Sequence, residues 1–414
     1  MPSDKISALS KDLAKLMKDI GEVELENVDL FAETLELKFL PQVIAMAGKQ
    51  AVAPGLAAGK TLKDFEWEDT KFDIPYQDYK QQIEEVEFKR SNGTSVIVGG
   101  EQVPHFFGWE NEKNPHTPIV IYDVFDHMRH KAPGKVSGVP SPIKKHYLEV
   151  FEDPVEWGKL AVEKFGAEML SLHFVATDPD AFPGDPVFKP KSPRESAKLF
   201  EDMLQAVKVP VSIGCSGAKE HDVEMFKAVA AVSESERLML SAADKETWER
   251  VVPIGMKHDH NVLMWTQLDP NDQKKLNLGA LEMGLPRDHL LMDPTCATLG
   301  YGLEYSYSIY QRYHLNGLRG DTSLSFPMSA GTTNAWGARE AWMSERKHPE
   351  WGPRDLRGPL WETYTAICLS IAGMDIAMMF HPGAATMFRE LVKSFRKDLP
   401  SLIPLASDWI TLEI

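Results

Sequence analysis

The chain has 414 residues, 43% of them hydrophobic, with 45 basic against 61 acidic side chains and a net charge of -16. That length suits one barrel domain with extensions, and the apolar fraction is enough for a large core. The acidic balance, with a pI near 5.3, lacks the basic surface that nucleic acid or an anionic membrane requires, so both are excluded as general partners and a soluble cytoplasmic protein is expected.

Residues 1–84 read as an N-terminal extension, partly helical or flexible. Ile6–Ile20 carries a weak helical pattern, and Phe39–Ala58 is rich in Ala, Gly and Pro. Met1–Lys5 opens without an apolar signal segment. Gly55-Leu-Ala-Ala-Gly-Lys60-Thr61 resembles a phosphate loop but has three residues between its glycines where four are needed, and reads as a linker. Within residues 85–110, Glu85–Arg90 and Ser95–Gly100 flank Asn92-Gly93. Both turn residues tolerate positive φ, which predicts a β-hairpin capping the bottom of the next domain.

Residues 115–400 alternate strand and helix. The predicted strands are Ile119–Val124, Met169–Val175, Val209–Gly214, Leu238–Ser241, Val262–Thr266, His289–Met292, Ser323–Met328 and Asp375–Phe380. Amphipathic helices lie between them. One apolar face is Leu199, Phe200, Met203, Leu204 and Val207; another is Leu360, Tyr364, Ile367, Cys368 and Ile371; a third is Met387, Phe388, Leu391, Val392 and Phe395. Eight strand–helix units predict an α/β fold, a (β/α)8 TIM-type barrel with an N-terminal extension and hairpin. A doubly wound sheet would need a glycine-rich turn after its first strand, where this chain has Asp126-His127-Met128-Arg129. Residues 401–414 read as a C-terminal tail. The apolar run Ile367–Phe380 carries Asp375 and is too short to span a bilayer.

In a barrel the loops after the strands share one rim. Here they read Phe125-Asp126-His127, Ala176-Thr177-Asp178-Pro179, Cys215-Ser216-Gly217, Ala242-Ala243-Asp244, Gln267-Leu268-Asp269, Asp293-Pro294-Thr295, Ser329-Ala-Gly-Thr332-Thr333-Asn334 and His381-Pro382-Gly383. These small polar residues suit hydrogen bonding to a large amide- or oxygen-bearing ligand. Asp178 and Asp293 each precede proline, so each reads equally as a ligand anchor or as a turn cap. His173 lies inside the second strand and reads first as a core or rim hydrogen bonder; His381 sits at the rim. The pairs His127/His130 and His258/His260 lack zinc spacing and read as surface histidines, the second pair at the barrel's bottom. Cys215, Cys296 and Cys368 form no Cys-x-x-Cys pair, so neither a disulfide framework nor an iron–sulfur cluster on this chain is signalled. Among the aromatics after strands six and seven, Trp336 is expected to face a ligand or partner.

Four segments, Trp265-Thr-Gln-Leu-Asp269, Asp293-Pro-Thr with Leu299-Gly-Tyr-Gly-Leu-Glu-Tyr305, Phe326-Pro-Met-Ser-Ala-Gly-Thr-Thr-Asn-Ala-Trp-Gly-Ala-Arg-Glu340 and Arg357-Gly-Pro-Leu-Trp-Glu362, carry a resemblance. Together they closely resemble the delta subunit family of the acetyl-CoA decarbonylase/synthase complex, the small subunit of the corrinoid iron–sulfur protein. Val98-Gly-Gly100 and Ile121-Tyr-Asp-Val-Phe-Asp126 match less specifically, and the resemblance spans roughly residues 85 to 395. It implies a barrel paired with a large (gamma) subunit that carries the iron–sulfur cluster and most of the corrinoid site. It also implies a methyl group carried on cobalt between a tetrahydropterin methyltransferase reaction and the acetyl-CoA synthase cluster. The chain would be a non-catalytic or co-catalytic subunit in cytoplasmic one-carbon metabolism. Its expected corrinoid contacts are Asp126, Thr177, Asp178, Ser216, Asp293, Thr295, Ser329, Thr332, Thr333, Asn334, Trp336 and His381. The absence of an Asp-x-His-x-x-Gly cobalt-ligating motif, and of an evident rim nucleophile, agrees with that division of labour. The alternatives are a free-standing pterin-dependent methyltransferase and a purely architectural subunit.

Overall fold

A computed structural model describes residues 79–105, 114–128, 130–132, 135–136 and 139–396, all within one compact unit spanning 77–414. The expectations for Ile6–Ile20, for Gly55–Thr61, for His130's side chain and for the tail 401–414 lie outside what is described.

Strands β1 (Val86–Lys89) and β2 (Ser95–Val98) form the antiparallel hairpin, with Val86 opposite Val98. Gly93 has φ +89°, and Asn92 Oδ1 accepts from the Thr94 N–H, so the Asn-Gly turn forms for the expected reason. Eight further strands pair in parallel: β3 (Ile119–Phe125), then, past a short antiparallel pair β4 (His130–Ala132) and β5 (Lys135–Val136), β6 (Leu170–His173), β7 (Val211–Gly214), β8 (Met239–Ala243), β9 (Asn261–Trp265), β10 (Leu290–Asp293), β11 (Ser329–Ala330) and β12 (Ile376–Met379). Their order is β10-β9-β8-β7-β6-β3-β12-β11, and a parallel bridge from Met292 to Met328 closes the ring. This is the (β/α)8 barrel.

The helices around it are α1 (Ser141–Tyr147), α2 (Pro154–Glu163), α3 (Pro193–Ala206), α4 (Lys219–Ala231), α5 (Trp248–His258), α6 (Pro270–Glu282), α7 (Leu303–Leu318), α8 (Arg339–Trp342), α9 (Arg354–Ile371) and α10 (Pro382–Ser394). Several start where a cap and a proline meet. Asp153 and Asp269 cap α2 and α6, and Ser192 forms a capping box with Glu195 on α3. No helix among the described residues is long and apolar enough to cross a membrane.

Strand alternation divides two apolar clusters. Val120, Tyr122 and Val124 of β3, with Leu170 and Leu172 of β6, face the helices. Ile121, Met169, Met239, Leu263, Leu291, Ile376 and Met378 face inward and pack against Val86, Phe88 and Val98 of the hairpin. The hairpin therefore plugs the barrel floor. The same inward-facing series continues upward as Asp123, His173, Trp265 and Asp293, so the interior turns from apolar at the floor to polar at the mouth.

Three expectations are corrected. The seventh strand is Ser329–Ala330, not Ser323–Met328. The Leu324 N–H turns back to the Asp321 carbonyl, the Ser325 carbonyl is taken by the Glu84 N–H, and Pro327 has no N–H to donate. On α9 the buried face is Gly358, Glu362, Thr365, Ala366 and Leu369, while Leu360, Ile367, Cys368 and Ile371 are half-buried and Tyr364 is exposed. Ile367 and Cys368 still pack against the core from the edge of that face, while Glu362 is held inside by the Trp336, Phe380 and His381 N–H groups. His258 and His260 lie before β9 at the bottom, but are buried rather than on the surface. His258 Nδ1 lies 3.0 Å from Glu234, and the His260 ring bonds Ser233 Oγ and the Leu238 N–H.

Candidate functional site at the barrel mouth

A cavity of about 490 Å³ opens at the C-terminal ends of β6 to β10 and runs out between α4 and α5. His173, Cys215, Lys219, Asp222, Ser241, Asp244, Trp265, Gln267 and Asp293 supply its polar and aromatic lining. A second hollow of about 460 Å³ shares Lys219, Asp244, Trp265 and Gln267 with it. This is the end of a barrel where ligands bind.

The floor of the mouth is a chain of hydrogen bonds. Asp123 Oδ1 lies 2.9 Å from His173 Nε2, and Asp123 Oδ2 accepts from the Thr333 hydroxyl. The imidazole stacks on Phe125 at 4.9 Å between centroids. Gly214 is required here: a Cβ on it would come within 2.6 Å of His173 Nδ1. The neighbouring strand thus leaves room for the ring to lie flat and fixed.

The loop after β7 is held from behind by Asp222 of α4. Its carboxylate accepts from the Ser216 N–H at 2.8 Å, the Ser216 hydroxyl at 2.7 Å and the Gly217 N–H at 2.8 Å. Burial raises Asp222 above the usual carboxylate range, against the pull of these donors. Burial, then the Asp222 charge, pushes the Cys215 thiol up to about 11, so it is not an activated nucleophile.

Asp293 closes the far wall. Burial pushes its carboxyl up to about 7, opposed by the Thr295 N–H that donates to Oδ1 at 2.9 Å. Thr295 adopts φ +79°, a strained conformation for a β-branched residue. It is held there by its hydroxyl, which donates to the Thr266 carbonyl at 2.6 Å, and by Ser306 Oγ on its own carbonyl.

Of the residues expected from sequence, Asp293 lines this cavity. The others do not line it and are mostly engaged by the scaffold. Asp126 accepts from the Ala176 N–H and lies 3.4 Å from Lys191 Nζ. Thr177 donates to the Phe174 carbonyl, and Asp178 caps a turn through the Asp180 N–H. Ser329 lies within β11, its carbonyl accepting from the Tyr310 hydroxyl. Thr332 donates to the Met378 carbonyl, and Thr333 Oγ1, which donates to Asp123, lies 3.0 Å from the same oxygen. Asn334 is exposed and donates to the Cys296 carbonyl at 3.1 Å. Trp336 is buried, its N–H on Glu362 and its ring stacked on His381. His381 Nδ1 accepts from the Gly383 and Ala384 N–H groups as the cap of α10, and burial lowers its pKa well below the ordinary value.

Lys219 and Asp222 carry no signal in the sequence, and Asp123 and Trp265 stand there only within the resemblance segments, not as expected site residues. The legible signal was Asp123, the one charged residue in the run Ile119–Phe125. Cys215, Asp244 and Gln267 stood in the predicted rim loops without being singled out.

The model of the CO dehydrogenase/acetyl-CoA synthase delta subunit family matches residues 85–346. The acetyl-CoA decarbonylase/synthase complex subunit delta of Methanocaldococcus jannaschii is 38% identical over 395 residues, covering 92% of this chain and 91% of that protein. The subunit of the same name from Archaeoglobus fulgidus is 41% identical, covering 83% of this chain and 75% of its own. That of Methanosarcina mazei is 39% identical, covering 93% and 86%. Among solved structures, dihydropteroate synthase from Xanthomonas albilineans in complex with 7,8-dihydropteroate aligns with a TM-score of 0.45 and 13% identity, over 76% of this chain and 100% of that one. With the family model over most of the barrel and relatives aligned along nearly the whole chain, this protein belongs to the delta subunit family of the acetyl-CoA decarbonylase/synthase complex.

Proposed function

We propose that this barrel is a non-catalytic or co-catalytic subunit that forms one side of a corrinoid site, the other side being supplied by a large subunit that carries the iron–sulfur cluster. The observation that carries the reading is a polar barrel mouth whose groups are fixed from behind and whose Cys215 thiol is held up at about 11 by burial. A corrinoid is a flat macrocycle edged with amide arms. Such a group needs open backbone to lie against and both donors and acceptors around its rim.

The residues present fit that requirement. Gly217, Gly300 and Gly337 follow three different strands, and a Cβ on any of them would meet nothing within 4 Å. Asn334 and Gln267 are exposed, offering amides to amide arms, and Lys219 and Asp244 stand beside Gln267. The cavity is smaller than a whole macrocycle, which favours a site shared between two chains. When bound, the corrinoid would supply the cobalt that carries a methyl group between a tetrahydropterin and the acetyl-CoA synthase metal cluster. The chain's own part is to position and to exclude water. Asp123, His173 and Thr333 hold the floor rigid, while Asp222 keeps the Ser216–Gly217 loop in place. The setting is the cytoplasm.

A second reading rests on the same cavity. About 490 Å³ with Asp293, Asp244 and Gln267 on its walls is room for a bicyclic, amide-bearing heterocycle. Binding of a tetrahydropterin by the isolated chain would favour that methyltransferase reading.

The test is Gly337→Leu, which fills open rim space at a residue of ordinary φ, and Asn334→Ala, each in the co-expressed heterodimer. Lower cobalt per heterodimer with an unchanged melting temperature is expected. Full cobalt in both folded variants would count against the rim as a contact.

A further inference from the structure

At the opposite end of the barrel a second cluster has no part in the mouth. We propose that Glu101, His105 and Asp375 form a site for a zinc-type divalent cation that pins the barrel floor. Glu101 and His105 belong to the segment that leaves the hairpin. Asp375 immediately precedes β12, and Ser370 lies in the last turn of α9.

The geometry is that of converging ligands. His105 Nε2 lies 3.0 Å from Glu101 Oε1 and 3.5 Å from Asp375 Oδ1, and one ligand atom from each residue falls within 4.8 Å of the others. Metal–ligand bonds of about 2.0–2.2 Å in a tetrahedron set ligand atoms about 3.4 Å apart. The three atoms therefore need only small shifts to share an ion.

Each side chain is also aimed by a partner behind it. His105 Nδ1 lies 2.9 Å from the Ser370 carbonyl, which turns Nε2 toward the carboxylates. Asp375 Oδ2 accepts from the Met328 N–H at 2.8 Å, leaving Oδ1 for the cluster. Such outer contacts fix the tautomer and orientation of metal-binding histidines and carboxylates.

A further observation concerns buried polar atoms that lack a partner among the described residues. Glu101 is 1% exposed, yet its Oε2 has no hydrogen-bond partner among the described residues. His314 of α7 is 3% exposed, stands 5.1 Å from His105 between ring centroids, and its Nε2 also has no partner among the described residues. A buried carboxylate oxygen left in this state is costly, and a cation held by Glu101, His105 and Asp375 would answer it. The donor set of imidazole and carboxylates suits zinc and its neighbours. Calcium would need six or more oxygens, and magnesium would keep several waters.

The probe is Zn²⁺ alone on the full chain, stripped with a chelator, reloaded and passed through gel filtration. About one equivalent of retained zinc is expected, with a higher melting temperature, and Glu101→Gln and His105→Gln should each lower the retained zinc at least tenfold. Zinc absent from the reloaded wild type overturns the proposal, as does equal zinc in folded variants. Should the variants not fold, X-ray absorption at the zinc edge of the wild-type chain decides. Imidazole nitrogen with carboxylate oxygen supports the site, and sulfur in the coordination sphere overturns it.

Discussion

The indole N–H of Trp336 donates to Glu362 Oε2 at 2.8 Å, and both side chains are buried. Glu362 also accepts from the Phe380 N–H at 2.5 Å and the His381 N–H at 3.1 Å. One carboxylate on α9 thus ties the segment after β11 to the end of β12. Burial pushes its pKa up to about 8, although all three donors favour the charged form. Glu362→Gln turns an amide NH₂ toward one of these N–H groups. A loss of about 1–3 kcal/mol is expected, measured by calorimetric melting. Trp336→Phe keeps most of the ring and should cost less than Trp336→Ala, for which about 3–5 kcal/mol is expected.

Asp293 gives the fold a pH dependence. Its folded pKa is raised by burial from 3.8 to about 7, so between those values the native chain holds a proton that the unfolded chain has released. Stability from this group is fully present below pH 4 and falls as pH rises toward 7. Asp293→Asn keeps the acceptor for the Thr295 N–H and removes the titration. Denaturant unfolding at pH 5 and pH 8 should find the variant gaining on the wild type at the higher pH, within an upper limit of about 2.6 kcal/mol. A pH-independent difference would contradict this assignment.

Phe88 is fully buried between the hairpin and the barrel interior. Phe88→Ala should destabilise by about 3–5 kcal/mol, seen as a lower urea midpoint. A loss under about 1 kcal/mol would mean that the hairpin is not part of the folded core.

Large aromatics stand exposed near the mouth. Tyr301, Tyr305 and Trp342 are 50%, 65% and 46% exposed, and the Tyr301 hydroxyl lies 2.9 Å from Glu340, two residues before Trp342. On the shared-site reading this patch meets the large subunit. Tyr305→Ala with Trp342→Ala should weaken pairing at least tenfold, or about 1.4 kcal/mol, in titrations with the large subunit, and leave the melting temperature unchanged.

The barrel was legible because strand ends and helix starts carry local signals such as Asp269-Pro270 and His381-Pro382. The displaced seventh strand was not, because Leu324, Phe326 and Met328 alternate as in a strand while the backbone before Pro327 is engaged in a turn and by Glu84. On α9 periodicity placed Ile367 and Cys368 against the core, where they pack, but it counted the exposed Tyr364 with them and could not foresee that three N–H groups hold Glu362 inside. At the mouth, loop composition found Asp293 but not its neighbours. Asp123 and His173 are made into a pair by strand register, and Gly214 gives that pair its room. None of these relations exists in one segment of sequence.

The most direct test of the shared-site account is the cobalt content and absorption spectrum of this chain, purified anaerobically alone and co-expressed with its large subunit. The account predicts a colourless, cobalt-free chain alone and a cobalt-bearing heterodimer that loses cobalt with Gly337→Leu. Stoichiometric cobalt on the isolated chain, or full cobalt on the large subunit without it, would contradict a corrinoid site built from both.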